Sequence, residues 1–176
     1  MEIKFKKFVF KLDFSFLIVL SFAVFYGYES TISIILFSML HEIGHIAALL
    51  LFRVKPDLIK ISFYGIGLKY KSNLSKAKEF IVLICGPLIN LIFFLILRDD
   101  INLILLLINI FPALPLDGGR ILKLALPRCY RAVSLFFIIV LCCLSAYLFI
   151  EYHIFSLILI SVYLVAFNIN EFNSNR

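Results

Sequence analysis

The chain has 176 residues, of which 63% are hydrophobic and 16% charged, and its mean hydropathy is +1.07. These values exclude an ordinary soluble domain and predict an integral membrane protein. The formal net charge of +6 gives no reason to expect nucleic acid as a partner, because anionic lipid of the bilayer is sufficient to balance it.

Six apolar runs are candidate membrane crossings, since a helix needs about 20 apolar residues to cross the hydrocarbon core. They are Leu12–Tyr28, Ile32–Phe52, Phe80–Leu97, Ile101–Pro115, Ala132–Ile150 and Ile154–Phe167. The predicted fold class is therefore an all-α membrane protein with about six transmembrane helices, forming a single domain over residues 1–176. The first run follows basic residues, as a secretory signal does, but no small-residue cleavage site comes after it, so we interpret it as a retained helix.

The distribution of positive charge predicts the orientation in the membrane. If the N-terminus is cytoplasmic, all 17 lysines and arginines except Arg98 fall in cytoplasmic segments. Cytoplasmic loops are enriched in these residues, so the sequence predicts a multi-pass protein with both termini in the cytoplasm.

A polar stretch separates the second and third crossings. Its middle, Leu58 to Tyr70, is rich in β-branched and aromatic residues and is broken by two glycines, a pattern typical of a short cytoplasmic β-hairpin. An exposed edge of such a hairpin could bind an extended peptide as an added strand. A connector that packs only on itself explains the same pattern equally well.

Residues 41–45 read His-Glu-Ile-Gly-His within the second crossing. On a helix, His41 and His45 share a face, the geometry that two zinc ligands need, with Glu42 as a general base. Ionisable groups at membrane depth are costly and are normally present for function. The simpler alternative is that bundle hydrogen bonds satisfy the two histidines.

A catalytic zinc ion generally takes three protein ligands and keeps one position open. The chain's other carboxylates lie at crossing ends, on the outer face or in the cytoplasm, which leaves Asp117 as the candidate third ligand. It follows two prolines and precedes two glycines, a sequence that interrupts a helix at membrane depth. The alternative is a turn residue on the cytoplasmic side, and the depth of Asp117 relative to the histidines stays open.

Three motifs together resemble the site-2 proteases, which are intramembrane zinc metalloproteases. The first is the His-Glu-x-x-His run at residues 41–45, the second is Gly-Pro-Leu-Ile-Asn at residues 86–90, and the third is the run from Asn109 to Arg120. The sequence Pro-Ala-Leu-Pro-Leu-Asp-Gly-Gly-Arg within the third motif is most similar to that of the branch that contains stage IV sporulation protein FB. Members of that branch commonly carry a C-terminal cystathionine-β-synthase domain, which we expect this chain to lack. The resemblance therefore leaves open both nucleotide regulation and that branch's precursor as substrate.

The resemblance implies an intramembrane endopeptidase that uses Zn2+ and cuts a membrane-associated protein, in regulated intramembrane proteolysis. It implies that His41, His45 and Asp117 bind the zinc and that Glu42 is the general base. Asn109 and Pro115 match polar and helix-breaking positions near the metal, whereas Asn90 matches a position that contacts substrate or joins helices. The hairpin would present the substrate. The implied location is the bacterial cytoplasmic membrane.

Two other classes of function remain open from the sequence. A metal-ion or proton transporter could use the same intramembrane residues, and an idle family member could act as a scaffold. Glu42 separates them from a protease, since its replacement by glutamine should abolish cleavage and leave zinc bound. The expected partners are a membrane protein or membrane-associated peptide as substrate and the lipid bilayer, with a regulatory membrane protein or a homo-oligomer left open.

Overall fold

The computed structural model describes residues 2–5, 8–12, 29–54, 58–62, 65–69, 74–153 and 156–174. Contacts divide the chain into two compact units, Met1–Leu107 and Ile108–Arg176. The described helices are α1 Glu29–Leu51, α2 Lys76–Leu97, α3 Asp100–Ile110, α4 Asp117–Ala125, α5 Tyr130–Tyr152 and α6 Ser156–Ser174. The described strands are β1 Glu2–Phe5, β2 Phe8–Leu12, β3 Leu58–Ser62 and β4 Gly65–Lys69.

Three described helices are long and apolar enough to cross a membrane: Ile32–Leu51 within α1, Lys76–Leu97 and Tyr130–Tyr152. A span of 20 residues is about 30 Å long, which matches the hydrocarbon thickness of a bilayer. These spans agree with the second, third and fifth predicted crossings. The first predicted crossing lies outside the described residues apart from Leu12, which belongs to β2.

The fourth and sixth predicted crossings are shorter apolar helices in the structure. Helix α3 has 11 residues, or about 17 Å, and ends at Ile110 instead of continuing to Pro115. Irregular backbone follows over residues 111–116, because Pro112 and Pro115 cannot donate to a helical ladder. Helix α6 covers the sixth predicted crossing from Ser156 onward and continues beyond Phe167 to Ser174, and the first two residues of that crossing lie outside the described residues.

The strands form one mixed sheet in the order β1-β2-β3-β4. Strands β3 and β4 are antiparallel, with Leu58 opposite Lys69 and Ser62 opposite Gly65, in the segment where a hairpin was predicted. Strand β2 pairs with β3 in parallel and with β1 in antiparallel orientation. The predicted fold, all-α with one short hairpin, is therefore incomplete. Residues 2–5 and 8–12, which precede the first predicted crossing except for Leu12, form two further strands.

The side chains show the polarity expected of a protein in lipid. Long apolar residues such as Leu51, Ile96 and Ile150 are more than two-thirds exposed on the described helices. Polar residues are buried instead, and they include two histidines, three asparagines and three serines. Helices in a membrane gain little from burying apolar groups against each other, so packing of small residues and polar contacts hold them together.

Within the first unit, α1 and α2 pack at close range through Gly44. A methyl group at position 44 would lie 2.6 Å from the carbonyl oxygen of Cys85 and 2.8 Å from Ile89, so only glycine allows this approach. An apolar cluster of Ala48, Leu49 and Val82 lies beside this contact. Helix α1 ends at Leu51, and in the turn that follows, the left-handed backbone of Arg53 (φ 60°) accompanies a hydrogen bond from Val54 N to Leu49 O.

Within the second unit, the irregular segment 111–116 is fixed to α5 and α6. Ala113 forms an apolar cluster with Ile138 of α5 and Leu164 of α6. The Ser134 hydroxyl donates to the carbonyl of Pro112 at 2.8 Å, and the Asn168 amide donates to the carbonyl of Leu114 at 2.6 Å. Carbonyls that leave a helical ladder at membrane depth need such partners.

Candidate metal centre

The side chains of His41 and His45 converge one helical turn apart on α1. Their Nε2 atoms are 3.1 Å apart, and the rings meet edge to face with centroids 4.8 Å apart. Both residues are about 95% buried. The four-residue spacing on a helix produces this arrangement because positions i and i+4 lie on one face.

Glu42 belongs to the same cluster. One ligand atom from each of His41, Glu42 and His45 lies within 4.8 Å of the others, and Glu42 is only half-buried. Imidazole nitrogens are common zinc ligands, and a carboxylate beside them can bind the metal or accept a proton. The cluster therefore combines metal-binding groups with an accessible base.

The carbonyl of Val82 fixes the orientation of His45. The Nδ1 atom of His45 is 2.7 Å from this oxygen, which can only accept a hydrogen bond, so Nδ1 carries the proton. In the neutral ring, the lone pair is then on Nε2, which faces His41. A histidine that binds metal usually donates its other N–H to a carbonyl or carboxylate in this way.

Gly86 of α2 lies directly against the two imidazoles. A methyl group at this position would overlap His45 Nε2 and would be 2.7 Å from His41 Nε2. No larger residue could therefore keep the space in front of both nitrogens open. The glycine supplies a small cradle in front of the two Nε2 atoms.

Asn90 of α2 contacts the other histidine. Its side chain is completely buried, and its Nδ2 is 3.1 Å from His41 Nδ1. Val82, Gly86 and Asn90 are spaced four residues apart, so one stripe of α2 contacts both imidazoles.

The geometry of the cluster fits a zinc ion. Two nitrogens bound tetrahedrally at about 2.0 to 2.1 Å from zinc would be about 3.3 Å apart. The observed Nε2 separation of 3.1 Å is close to this value. Gly86 has no side chain that would occupy the space in front of the two nitrogens. Both histidines also have a neighbour at Nδ1, so Nε2 is the ring atom of each that could bind a metal.

The remaining predicted site residues belong to the second unit. Asp117 is the first residue of α4, is 7% exposed, and has the Arg120 guanidinium 3.7 Å from its carboxylate. Asn109 lies in the last turn of α3 and is half-buried. Pro115 follows a cis peptide bond in the irregular segment before Asp117.

Gly118 and Gly119 let the irregular segment fold against the start of α4. A methyl group at position 118 would overlap the carbonyl of Ile110, and one at position 119 would overlap that of Ala113. The two glycines after Asp117 are thus required for the close approach of this backbone to residues 110–113. A negative side chain at the N-terminus of α4 is also favoured by the helix dipole.

Sequence reasoning missed several contributors to these sites. Val82 acts through its backbone carbonyl, and Ser134 and Asn168 act by holding the irregular segment. The signal for the α2 stripe was present, since Gly86 and Asn90 are four residues apart and the histidines are too.

Comparisons with known proteins agree with this architecture. No protein-family model matches the chain, and no curated protein matches it. Among solved structures, the site-2 protease from Methanocaldococcus jannaschii matches with a TM-score of 0.64 and 18% sequence identity, over 93% of this chain and 91% of that chain. At this identity the likeness defines the fold alone.

Proposed function

We propose that this chain is an intramembrane zinc metalloendopeptidase that cleaves a membrane-associated protein within or near the bilayer. The observation that carries the proposal is the convergence of His41 Nε2 and His45 Nε2, with Glu42 in the same cluster and Gly86 leaving room in front of them. The likeness of the fold to a site-2 protease supports the same assignment.

In this proposal His41, His45 and Asp117 bind zinc. A bound zinc ion would activate a water molecule and polarise the scissile carbonyl. Glu42 accepts the proton of the attacking water and delivers it to the leaving amine. Its partial exposure suits this role because a base must be reachable by both water and substrate. Asn109 and Pro115 would shape the approach of the peptide to Asp117.

The sheet offers a means of holding the substrate. A peptide bond becomes accessible only in extended backbone, since helical hydrogen bonds engage its carbonyl. Among the described strands, β4 ends the sheet order and so offers an edge to which an extended peptide could add. A photo-reactive residue at Ile66 should therefore crosslink to substrate in the inactive Glu42→Gln variant, and absence of a crosslink there would contradict this part of the proposal.

The proposed setting is the cytoplasmic membrane of a bacterium, with both termini in the cytoplasm and regulated intramembrane proteolysis as the process served. The distribution of the 17 lysines and arginines supports this orientation. Reporter fusions at each terminus test it, because a fluorescent protein that folds only in the cytoplasm should be bright at both ends.

A cleavage assay on the reconstituted protein tests the activity. Single-span and amphipathic substrates are incubated with wild type, with Glu42→Gln, and with Glu151→Gln, which removes an exposed carboxylate from the end of α5. Wild type and Glu151→Gln should give products, whereas Glu42→Gln or a chelator should give none. Zinc content is measured in parallel and should be unchanged in Glu42→Gln.

The rival functions predict different results in the same assay. Stoichiometric zinc in wild type with no product that depends on Glu42, over the whole substrate panel, would contradict the protease. Ion uptake into vesicles that depends on His41 and His45 would then favour a transporter, and neither activity would favour a scaffold.

A further inference from the structure

Asn90 presents an unusual hydrogen-bonding arrangement beside His41. Its amide is completely buried between α1 and α2, with Nδ2 pointing to His41 Nδ1 at 3.1 Å. Among the described residues, no donor reaches its Oδ1 atom. A buried amide oxygen without a partner costs about 1 to 3 kcal/mol, and a half-turn of the amide would place that oxygen against His41 Nδ1 instead.

The two orientations of the amide correspond to two tautomers of His41. With Nδ2 toward the ring, His41 Nδ1 accepts, its proton is on Nε2, and that N–H donates to His45 Nε2 at 3.1 Å. The histidines then form a closed pair with no lone pair open to a cation. A half-turn of the amide exchanges Nδ2 with Oδ1, which then accepts a proton from His41 Nδ1.

Only the second orientation prepares both histidines to bind a metal. Because Val82 O already holds the Nδ1 proton of His45, the Nε2 lone pair of that ring is available. When Asn90 Oδ1 holds the Nδ1 proton of His41, the second Nε2 lone pair is available too. The proton moves from Nε2 to Nδ1 of the same ring, so the net charge does not change.

We infer that Asn90 is a positioning residue for the metal centre: its amide oxygen accepts the His41 Nδ1 proton and so directs His41 Nε2 to the metal. The inference rests on the proposed function, since it assigns Asn90 a task at the same zinc site. Asn90 and Val82 then have equivalent tasks toward the two histidines, one through a side chain and one through the backbone. Partners of this kind typically change metal affinity by about 10- to 100-fold.

Three variants of the full-length protein test the inference through zinc affinity, measured by competition with a chelator in detergent. Asn90→Asp keeps an acceptor and removes the donor, whereas Asn90→Leu removes both at similar volume. Asn102→Leu is the matched control, because Asn102 is also completely buried, also has an Oδ1 without a partner among the described residues, and contacts Asp99 instead of a histidine. The prediction is about 10- to 100-fold weaker zinc binding for Asn90→Leu. Asn90→Asp and Asn102→Leu should bind like wild type.

The tautomer itself is measured by 15N NMR of the zinc-loaded wild-type protein. The chain has three histidines, and the His153→Gln variant identifies the signal of the third. Protonated Nδ1 and metal-bound Nε2 in both remaining rings would support the inference. This measurement decides the question even where Asn90→Leu does not fold.

Each contrary outcome has a distinct meaning. Wild type that fails to bind zinc would overturn the proposed function and this inference together. Zinc-binding wild type with unchanged affinity in Asn90→Leu would overturn the inference alone. An equal loss in Asn90→Asp and Asn90→Leu, or a His41 Nδ1 without its proton, would show that the amide acts as a donor and would also overturn it.

Discussion

Replacing Gly86 with alanine tests the space in front of the two histidines. The added methyl group would be 2.7 Å from His41 Nε2, whereas ordinary contact begins at 3.4 Å, so the ring must retreat by about 0.7 Å. Zinc sites tolerate deviations of only about 0.2 Å in ligand distance. The methyl group therefore removes the position that both nitrogens share.

The size of the effect follows from the cost of overpacking. An extra methyl group in a well-packed site typically costs about 1 to 3 kcal/mol. If that cost falls on the zinc-bound state, zinc affinity decreases by about 5- to 150-fold, since about 1.4 kcal/mol corresponds to tenfold. The zinc-free fold should be affected less, because alanine is favoured over glycine in a helix by about 1 kcal/mol.

The assay measures zinc affinity by chelator competition and thermal unfolding of the zinc-free protein. Ala47→Val is the control, since Ala47 is exposed on α1 and its enlargement adds volume away from the histidines. The expected result is weaker zinc binding in Gly86→Ala with near-normal unfolding, and wild-type behaviour in Ala47→Val. Gly86→Ala with unchanged zinc affinity and activity would refute the assignment of this space to the metal.

Two further predictions concern the second unit. Asp117→Asn keeps the side-chain volume and removes the charge. Because it changes a proposed ligand, zinc affinity in a competition titration should decrease by more than the about 10- to 100-fold typical of residues that only orient ligands. Asp100→Asn, which changes an exposed residue at the start of α3, should bind normally, and equal binding by wild type and both variants would remove Asp117 from the ligand set. Asn168→Leu deletes the donor to Leu114 O and should destabilise the irregular segment by about 1 to 3 kcal/mol. Proteolysis near that segment should then be faster than in wild type. Equal rates of proteolysis in the two proteins would show that the contact is dispensable.

The sequence was most informative where periodicity and chemistry agree. The four-residue spacing of His41 and His45 fixes their common face on any helix, and long apolar runs define spans such as Tyr130–Tyr152 because bilayer thickness sets the length. Both features are local, so no knowledge of tertiary contacts was needed.

The sequence was least informative where pairing or packing is non-local. The parallel pairing of β2 with β3 joins segments about 50 residues apart, and neither the alternation of residues nor the basic charges of the N-terminus predicts it. The fourth crossing was predicted to continue to Pro115 because the apolar run extends to Leu116, and the two prolines indicated an interruption of the helix without locating its end, which lies at Ile110.

The stripe of α2 explains how a polar site is maintained between two membrane helices. In apolar surroundings, each imidazole Nδ1 requires a partner, because a buried N–H without one costs about 1 to 3 kcal/mol. Val82 and Asn90 supply those partners, and Gly86 between them leaves the Nε2 side open. Gly44 on α1 makes all three contacts possible by allowing the helix backbones to approach at Cys85. If the proposed function is right, metal binding by α1 depends on residues of α2 that are not ligands, and substitutions there should reduce zinc affinity before they unfold the protein.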